Sequence, residues 1–408
     1  MATLVPARSA AIWLVPMLAA SVLLNYVDRG AIGVAAPLMK DELELSATGF
    51  GIAVSAFFWV YAPLCVVAGL LCDRMCVYRL FAAGVALWAL STLATGFVGG
   101  LAMLVILRLF LGLGESIAFP GSSKIIAAEI APDRRGRANS MVAAAIAFGP
   151  AVGTLAGGII MIAFGWRAIF LIFGLITLLW LVPWHLVSRP VRAVAITAPK
   201  VAPFPLRRLL RLPALWMMGI GHFMSNYGFY FLLAWLPLYL VKTRGYSIPE
   251  MTALTTLGFA AQGIAALILG WASDRWVARG MSEGPLRKGL MAIAHLASAA
   301  SIIGIFLAQS TAMLALWLVV AGIAGALVST NLYCLAQMYS GPRAAGSWVG
   351  VQNALGNVSG IVGPIITGLI VDYFGGYGYA FAVAAAVSAF GALWWWLIVP
   401  KVELVATD

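Results

Sequence analysis

Residues 69–74 read GLLCDR, and residues 270–275 read GWASDR. Both hexapeptides have the pattern Gly-x-x-x-Asp-Arg, and both lie at the end of a long apolar segment. Gly-Pro occurs at 149–150 and again at 363–364, each time inside an apolar segment. Similarity between distant segments of one chain indicates an internally repeated fold. The chain is therefore predicted to consist of two related halves.

Apolar segments long enough to cross a bilayer make up most of the chain. The 408 residues are 63% hydrophobic and 10% charged, whereas soluble domains carry about 25% charged residues. A spanning helix needs about 20 mostly apolar residues. Twelve segments, numbered here as spans 1 to 12, meet this requirement: 11–35, 47–71, 79–99, 101–128, 139–163, 166–187, 214–241, 251–273, 287–308, 312–340, 347–371 and 377–400. These segments predict an all-α membrane protein.

The longest break between spans is basic and divides the chain in two. We expect an N-terminal six-helix bundle at 1–187, a cytoplasmic linker at 188–213 and a C-terminal six-helix bundle at 214–408. With the N-terminus inside, eighteen Lys and Arg residues fall on the cytoplasmic side and four on the opposite side. This bias orients membrane proteins, so both termini and both Asp-Arg turns are expected to be cytoplasmic. The halves are then parallel repeats.

Composition and motifs exclude several function classes. The net charge of +11 is accounted for by the loop bias, so nucleic-acid binding is not expected. The four cysteines are expected to be free thiols, because Cys72 and Cys76 lack the further ligands of a zinc site. No nucleophile–base pair or metal-ligand cluster occurs, so neither an enzyme nor a cofactor is expected. Twelve spans without an appended soluble domain argue against a sensor or structural protein.

Charged residues inside the spans are few, and each costs at least a few kcal/mol in hydrocarbon. Asp28 and Arg29 lie in span 1, whereas Arg108 and Glu115 lie in span 4. Arg108 and Glu115 are seven residues apart and share one helix face. Spans 1 and 4 run antiparallel and place Arg29 and Glu115 at similar depth. We expect two charged stripes that face each other across a central cavity.

Each charge has a functional and a structural interpretation. Arg29 offers a planar fork to a carboxylate, or it forms a permanent ion pair with Asp28 or Glu115. Glu115 could carry a proton, because desolvation favours a neutral carboxyl, or it is a fixed counter-ion. Asp28 either titrates or holds Arg108 or the backbone of span 4. Arg108 is expected to be a structural partner of Glu115 or Asp28 within this proton-coupling group.

Uncharged polar groups complete the predicted site. The residues expected to bind substrate together with Arg29 are Tyr26, Tyr61, Asn226, Tyr230, Asn353 and Asn357. Gln262 and Asn331 are further candidates, although an amide in lipid can equally hydrogen-bond a neighbouring helix. His222 and His295 have no acidic partner in their own half and are interpreted as packing residues.

Several of these stretches resemble the major facilitator superfamily. Gly69, Leu71, Asp73 and Arg74, followed by Arg79 one residue later than usual, resemble its loop 2–3 signature. RLFLGLGE (108–115) and APDRRGRA (131–138) resemble its helix 4 motif and the following loop. The resemblance implies two six-helix bundles that work by alternating access. It also implies a gating group on the cytoplasmic side, consisting of Gly69, Asp73, Arg74, Asp274 and Arg275. Asp73 would pair with a basic residue near span 11 or in loop 4–5.

Within that superfamily, five stretches resemble the anion:cation symporter family, which includes transporters of galactonate, glucarate, hexuronates and other organic anions. They are NYVDR (25–29), FFWVYAP (57–63), GESIAFP (114–120), NYGFYFLLAWLPLYL (226–240) and NALGNVSGIVGP (353–364). The stretch AAAIAFGPAVG (143–153) of span 5 lacks the amide that sugar-acid transporters tend to carry there, which argues against a polyhydroxylated substrate. The Asn-Tyr-x-Asp-Arg pattern also occurs in spinster-like lipid transporters.

The resemblance implies proton-coupled symport of a small organic anion, a carboxylate or a sugar acid, with Na⁺ as the alternative coupling ion. The alternative function is a spinster-like lipid or drug exporter that works by proton antiport. An exporter should have a wide apolar cavity that opens laterally, and a symporter a closed polar one. The protein is expected to be a monomer in the cell (inner) membrane, with the lipid bilayer as its surroundings.

Overall fold

The structure is a computed structural model that describes residues 5–130, 135–192 and 205–404. Its regular structure in those ranges is helical. The helices are α1 (Val5–Glu42), α2 (Ala47–Arg74), α3 (Val77–Thr95), α4 (Leu101–Glu115), α5 (Ala118–Glu129), α6 (Arg135–Phe164), α7 (Trp166–Leu179), α8 (Leu181–Arg192), α9 (Leu206–Leu209), α10 (Pro213–Lys242), α11 (Ile248–Ala278), α12 (Glu283–Leu307), α13 (Thr311–Phe374) and α14 (Gly378–Leu393). A π-helical turn at Trp394–Ile398 follows α14.

The helices correspond to the twelve predicted spans. Span 4 consists of α4 and α5, and span 6 of α7 and α8, whereas spans 10 and 11 are joined in α13. The break within α13 is at Gly341, whose φ of 61° lies in the left-handed region that glycine adopts readily. Ten helical stretches of the described chain are long and apolar enough to cross a membrane. The other two predicted spans are α1 and α10, of 38 and 30 residues. The all-α, multi-span prediction is confirmed.

Short turns join the helices at the face that contains the α1–α2 connection. This face, predicted to be extracellular, is called the outer face here, and the opposite one the inner face. The Ser46 hydroxyl accepts a hydrogen bond from the Gly49 amide and starts α2. Ser247 and Glu250 form a reciprocal capping box at the start of α11. Such caps satisfy amides that have no partner inside the helix, so they fix where the spans begin.

Helices pack extensively within each half of the chain. In the first half, α1 packs on α6, and α4 packs on α2 and α3. In the second half, α13 packs on α10, α11 and α12, and α12 also packs on α14. The halves meet through three pairs, α2 with α13, α6 with α11 and α1 with α10. The cavity described below lies between these pairs.

The contacts between the halves are concentrated in the outer half of the molecule. Asp372 near the end of α13 accepts hydrogen bonds from the backbone amides of Ala47 (3.0 Å) and Thr48 (2.7 Å) at the start of α2. Asp41 and Lys242 form an ion pair between the ends of α1 and α10. Further inward, the Thr154 and Thr256 hydroxyls of α6 and α11 are 3.1 Å apart. Gly51 also permits close backbone contact, because a Cβ there would overlap the Pro364 carbonyl oxygen.

Candidate functional site

A buried ion pair joins α1 to α4. The Arg29 Nε donates to Glu115 Oε2 at 2.8 Å, and the side chains are 5% and 0% exposed. Gly112, one turn before Glu115, lets α4 lie directly against α2, because a Cβ there would overlap the Phe57 carbonyl oxygen. The structure thus brings together the two charges that the sequence placed at similar depth. Since each charge is the other's counter-ion, neither is left unbalanced in the low-dielectric interior.

Aromatic rings surround the guanidinium of Arg29. Its Cζ lies 5.2 Å from the ring centre of Tyr26, 5.0 Å from that of Phe57 and 4.4 Å from that of Tyr61. Each ring face attracts a cation. The Arg29 Nη2 and the Glu115 Oε1 are buried and have no hydrogen-bond partner among the described residues. The pair is therefore only half satisfied, and Arg29 keeps a free donor for a further acceptor.

Asp28 points away from Arg29 and into the first half of the chain. Its Oδ2 accepts a hydrogen bond of 3.4 Å from the Thr177 hydroxyl of α7, and Trp88 and Thr92 of α3 also interact with the carboxyl. The residue is 2% exposed. Asp28 forms no hydrogen bond to Arg108 or to the backbone of span 4 among the described residues, although the charges of Asp28 and Arg108 interact electrostatically. Asp28 faces α3 and α7. That Asp28 titrates or holds Arg108 stays a prediction.

Arg108 is buried on the same face of α4 as Glu115, but it forms no ion pair with any described residue. Its Cζ lies 5.1 Å from the ring centre of Phe57, and its Nε lacks a hydrogen-bond partner in the described part of the chain. Arg108 does interact electrostatically with Glu115 and Asp28. Arg29 forms the direct ion pair with Glu115, and the interpretation of Arg108 as a structural partner of Glu115 or Asp28 stays a prediction.

One cavity contains all seven residues that were predicted to bind substrate. Its volume is about 150 Å³, and it is partly open to solvent. Those lining residues are Tyr26, Arg29, Tyr61, Asn226, Tyr230, Asn353 and Asn357. The three predicted proton-coupling residues do not line it, and Glu115 lies behind Arg29. A ligand in the cavity would thus contact the guanidinium and reach the carboxylate only through it.

A hydrogen-bonded chain forms the wall of the cavity opposite Arg29. The Tyr230 hydroxyl donates to Asn357 Oδ1 at 2.7 Å. The Asn357 Nδ2 donates to the backbone oxygen of Asn353 at 2.7 Å and to its Oδ1 at 3.1 Å. These bonds fix Tyr230 on α10 and both asparagines on α13 relative to one another. This part of the wall is therefore preorganised.

Other polar residues are placed differently from the sequence interpretation. His222 and His295, which were interpreted as packing residues, both line the cavity, and so does Gln262. Asn331 does not line it. Its amide donates to the Leu327 carbonyl at 2.8 Å and accepts from Arg287 at 3.3 Å, so the proposal of Asn331 as a cavity residue is wrong. Sequence reasoning missed Tyr333, which lines the cavity and carries no motif.

Most of the predicted gating group lies beyond the described side chains. The side chains of Asp73, Arg74 and Asp274 are outside the described part of the structure. Gly69 is half-buried, and a Cβ there would meet no atom within 4 Å. Arg275 is exposed and stacks on Trp271, with 5.3 Å from Cζ to the ring centre. The cytoplasmic gate thus stays a prediction, whereas Asp372 is an outer-face contact that the sequence analysis did not find.

Comparison with known families settles the class of the protein. The model of the family described as Major Facilitator Superfamily matches residues 18–282 and 239–407. The chain belongs to the Major Facilitator Superfamily. It is a multi-pass membrane protein and a transporter, which confirms the fold and family predictions. The two overlapping matches together span nearly the whole chain.

Curated relatives of similar length transport anions. The chain is 28% identical to the chloroplastic ascorbate transporter of Arabidopsis thaliana, over 94% of this chain and 74% of that protein. It is 28% identical to the hexuronate transporter of Bacillus subtilis, over 91% and 90%. It is 28% identical to the probable sulfoacetate transporter of Cupriavidus necator, over 90% and 89%. These relatives confirm the resemblance to organic anion transporters, and they are not enzymes.

A solved structure has the same fold. The crystal structure of a bacterial homologue of the human lysosomal transporter Spinster, in an inward-facing and occupied conformation, superposes with a TM-score of 0.76. The match covers 96% of this chain and 97% of that one at 19% identity. At this identity the likeness concerns the fold alone.

Proposed function

We propose that the protein is a secondary active transporter that carries a small organic anion together with a proton. The observation that supports this most is the half-satisfied Arg29–Glu115 pair at the cavity wall, with Nε bonded at 2.8 Å and Nη2 without a partner among the described residues. Arg29 binds the carboxylate of the substrate. Glu115 takes the proton, and Asp28 is a second candidate for that role.

The charge balance of the pair links the two fluxes. With an empty site and an ionised Glu115, the pair is neutral. If an anion binds while Glu115 keeps its charge, the buried site holds one excess negative charge, which the low-dielectric interior disfavours. When Glu115 accepts a proton as the anion arrives, the site is neutral again. The empty and the doubly loaded states are then the most readily occluded from water, so anion and proton cross together.

Alternating access would operate between the two halves at 1–187 and 214–408. The hydrogen bonds of Asp372 to the start of α2 and the Asp41–Lys242 ion pair hold the outer face together, which supports an inward-facing conformation. For the outer face to open, these contacts must break while the predicted gate around Asp73 closes the inner face. We place both termini in the cytoplasm and the protein in the cell (inner) membrane.

The alternative of a lipid or drug exporter has less support. The larger part of the cavity wall is apolar, so the overall polarity of the wall does not decide between the two functions. The buried Arg29 at this wall is what favours an anion as the substrate. The likeness to the Spinster homologue concerns the fold. No described feature favours antiport over symport.

Transport in liposomes tests the proposal. Purified protein is reconstituted in vesicles that contain a pH-sensitive dye, and organic acids are added outside at constant pH. We expect acidification inside that follows uptake of a labelled acid in wild type and is lost in Arg29→Lys, because the planar fork is lost. Arg244→Lys is the matched control, since Arg244 binds the Ala308 carbonyl near the outer face. Uptake without proton movement, or normal uptake by Arg29→Lys, would contradict the proposal.

A further inference from the structure

We infer, on the basis of the proposed function, that the transported anion carries one negative charge and that Gln262 binds an uncharged hydrogen-bonding group at its other end. This inference names the substrate class of the same cavity. It follows from the charges in the cavity wall and from the way α13 holds the Gln262 amide.

The cavity wall provides a single permanent positive charge. Arg29 is the only Lys or Arg among the described residues that line it, and no described Asp or Glu lines it. Arg108, the other buried cation nearby, stacks on Phe57 instead of lining the cavity. A second carboxylate on the substrate would lie in a buried wall with no permanent cation to balance it, which is strongly unfavourable. Dianions are thus selected against.

Gln262 is held against α13 with its amide free. A Cβ at Gly325 would lie 3.1–3.2 Å from the Cδ, Nε2 and Oε1 of Gln262, so the glycine leaves room for the amide to lie flat on α13. Gly322 allows the backbone of α11 to approach at the same level. The half-buried amide forms no hydrogen bond to any described residue, although the residue lines the cavity. Its donor and acceptor are therefore available to a ligand.

Neighbouring groups of the same wall are also neutral. Tyr333 follows Gly325 by about two turns of α13, and its phenol interacts electrostatically with Tyr26 and Arg29. Gln262 lies on α11 and Arg29 on α1, so the two residues line the cavity from different halves of the chain. An acid that extends from Arg29 across the cavity would present its distal group to Gln262. A hydroxyl, carbonyl or amide at that end would satisfy the free donor and acceptor.

Two matched series of acids test the inference by calorimetry on purified wild type. The first is gluconate against glucarate. The second is 4-hydroxybenzoate against benzoate and terephthalate. We expect each dianion to bind at least tenfold more weakly than the monoanion with a distal hydroxyl. If a dianion binds as tightly as its monoanion, the inference fails while the proposed function survives. If no acid binds and Arg29→Lys behaves like wild type, the proposed function fails as well.

Gln262→Leu tests the second part of the inference, that Gln262 binds the uncharged group at the far end of the substrate. The variant should lower the affinity for 4-hydroxybenzoate or gluconate about fivefold, as expected for the loss of one neutral hydrogen bond. Its affinity for benzoate should not change. Gln309→Leu is the control, since Gln309 is exposed near the outer face and bonds the Leu307 carbonyl. Gly325→Ala keeps Gln262 but displaces its amide, so it should reproduce the selectivity change. Equal loss for hydroxylated and unsubstituted acids, or no loss in either variant, would overturn the assignment.

Discussion

Glu115→Gln should make the empty protein less stable and anion binding tighter. In wild type the incoming carboxylate competes with Glu115, whose oxygen lies 2.8 Å from Arg29 Nε. Glutamine has a similar shape without the charge, so Arg29 loses its counter-ion. Removing one partner of a buried ion pair costs about 3–5 kcal/mol. Both side chains are at least 95% buried, so solvent screening does not reduce this value much.

Part of this lost stability is recovered when an anion binds to Arg29. Recovery of about half, roughly 2 kcal/mol, corresponds to about 30-fold tighter binding. Calorimetry over a pH series measures this. We expect wild-type affinity to rise as pH falls, because protonation of Glu115 removes the competitor, whereas the affinity of the variant should not change with pH. In liposomes the variant should exchange labelled for unlabelled anion but should not accumulate anion when only a pH gradient is imposed.

Glu283→Gln is the matched control for this prediction. Glu283 also pairs with an arginine at 2.8 Å, but its side chain is 39% exposed and the partner is Arg287 on the same helix. Because Glu283 is partly exposed to water and its partner Arg287 also bonds Asn331, loss of this pair should cost less stability than loss of the Glu115 charge, with no effect on anion binding. Wild-type affinity and an unchanged unfolding midpoint in Glu115→Gln would refute the coupled pair. Accumulation driven by pH alone would transfer the coupling role to Asp28.

Four further variants probe the gates and the buried acid Asp28. Asp73→Asn should slow transport with anion affinity within a few fold of wild type, whereas Asp274→Asn should have a smaller effect. Loss of binding with normal turnover would contradict the gate role. Asp372→Asn weakens two charge-assisted hydrogen bonds at the outer face and should shift the population toward outer-open by about 1–2 kcal/mol. Spin-label distances between the outer ends of α2 and α13 measure this shift, and unchanged distances would exclude it. Thr177→Val should lower the free energy of unfolding by about 1 kcal/mol and leave anion affinity unchanged in calorimetry. A large affinity change would place Asp28 in the binding site.

The fold could be predicted from the sequence because its signals are local and strong. Apolar segments of sufficient length define the helices, and repeated turns define the halves. The meeting of Arg29 and Glu115 followed from their depth in antiparallel spans. Depth alone does not give rotation about the helix axis, so it could not decide whether Arg29 or Arg108 pairs directly with Glu115, nor show that Asp28 faces α3 and α7.

Contacts between distant parts of the chain could not be predicted in the same way. Asp372 meets the start of α2 across more than 300 residues, and neither partner belongs to a recognisable motif. His222 and His295 were judged by the absence of acidic residues in their own half. Their position on the cavity wall depends instead on how α10 and α12 are rotated against α13. The sequence pattern along these helices does not reveal how they are rotated.

The rings around Arg29 bear on how faithfully the protein couples its two fluxes. In the proposed mechanism, a side state would arise if Glu115 took up a proton before an anion had arrived. The guanidinium charge is then balanced only by the electron-rich faces of Tyr26, Phe57 and Tyr61, at 4.4–5.2 Å. Stronger attraction between the rings and Arg29 makes this half-loaded state easier to occlude. Each time it is occluded, a proton can cross the membrane without the anion. In the proposed mechanism, the three rings therefore influence how often a proton crosses without an anion. Stronger rings would stabilise the buried guanidinium better but would couple proton and anion less tightly.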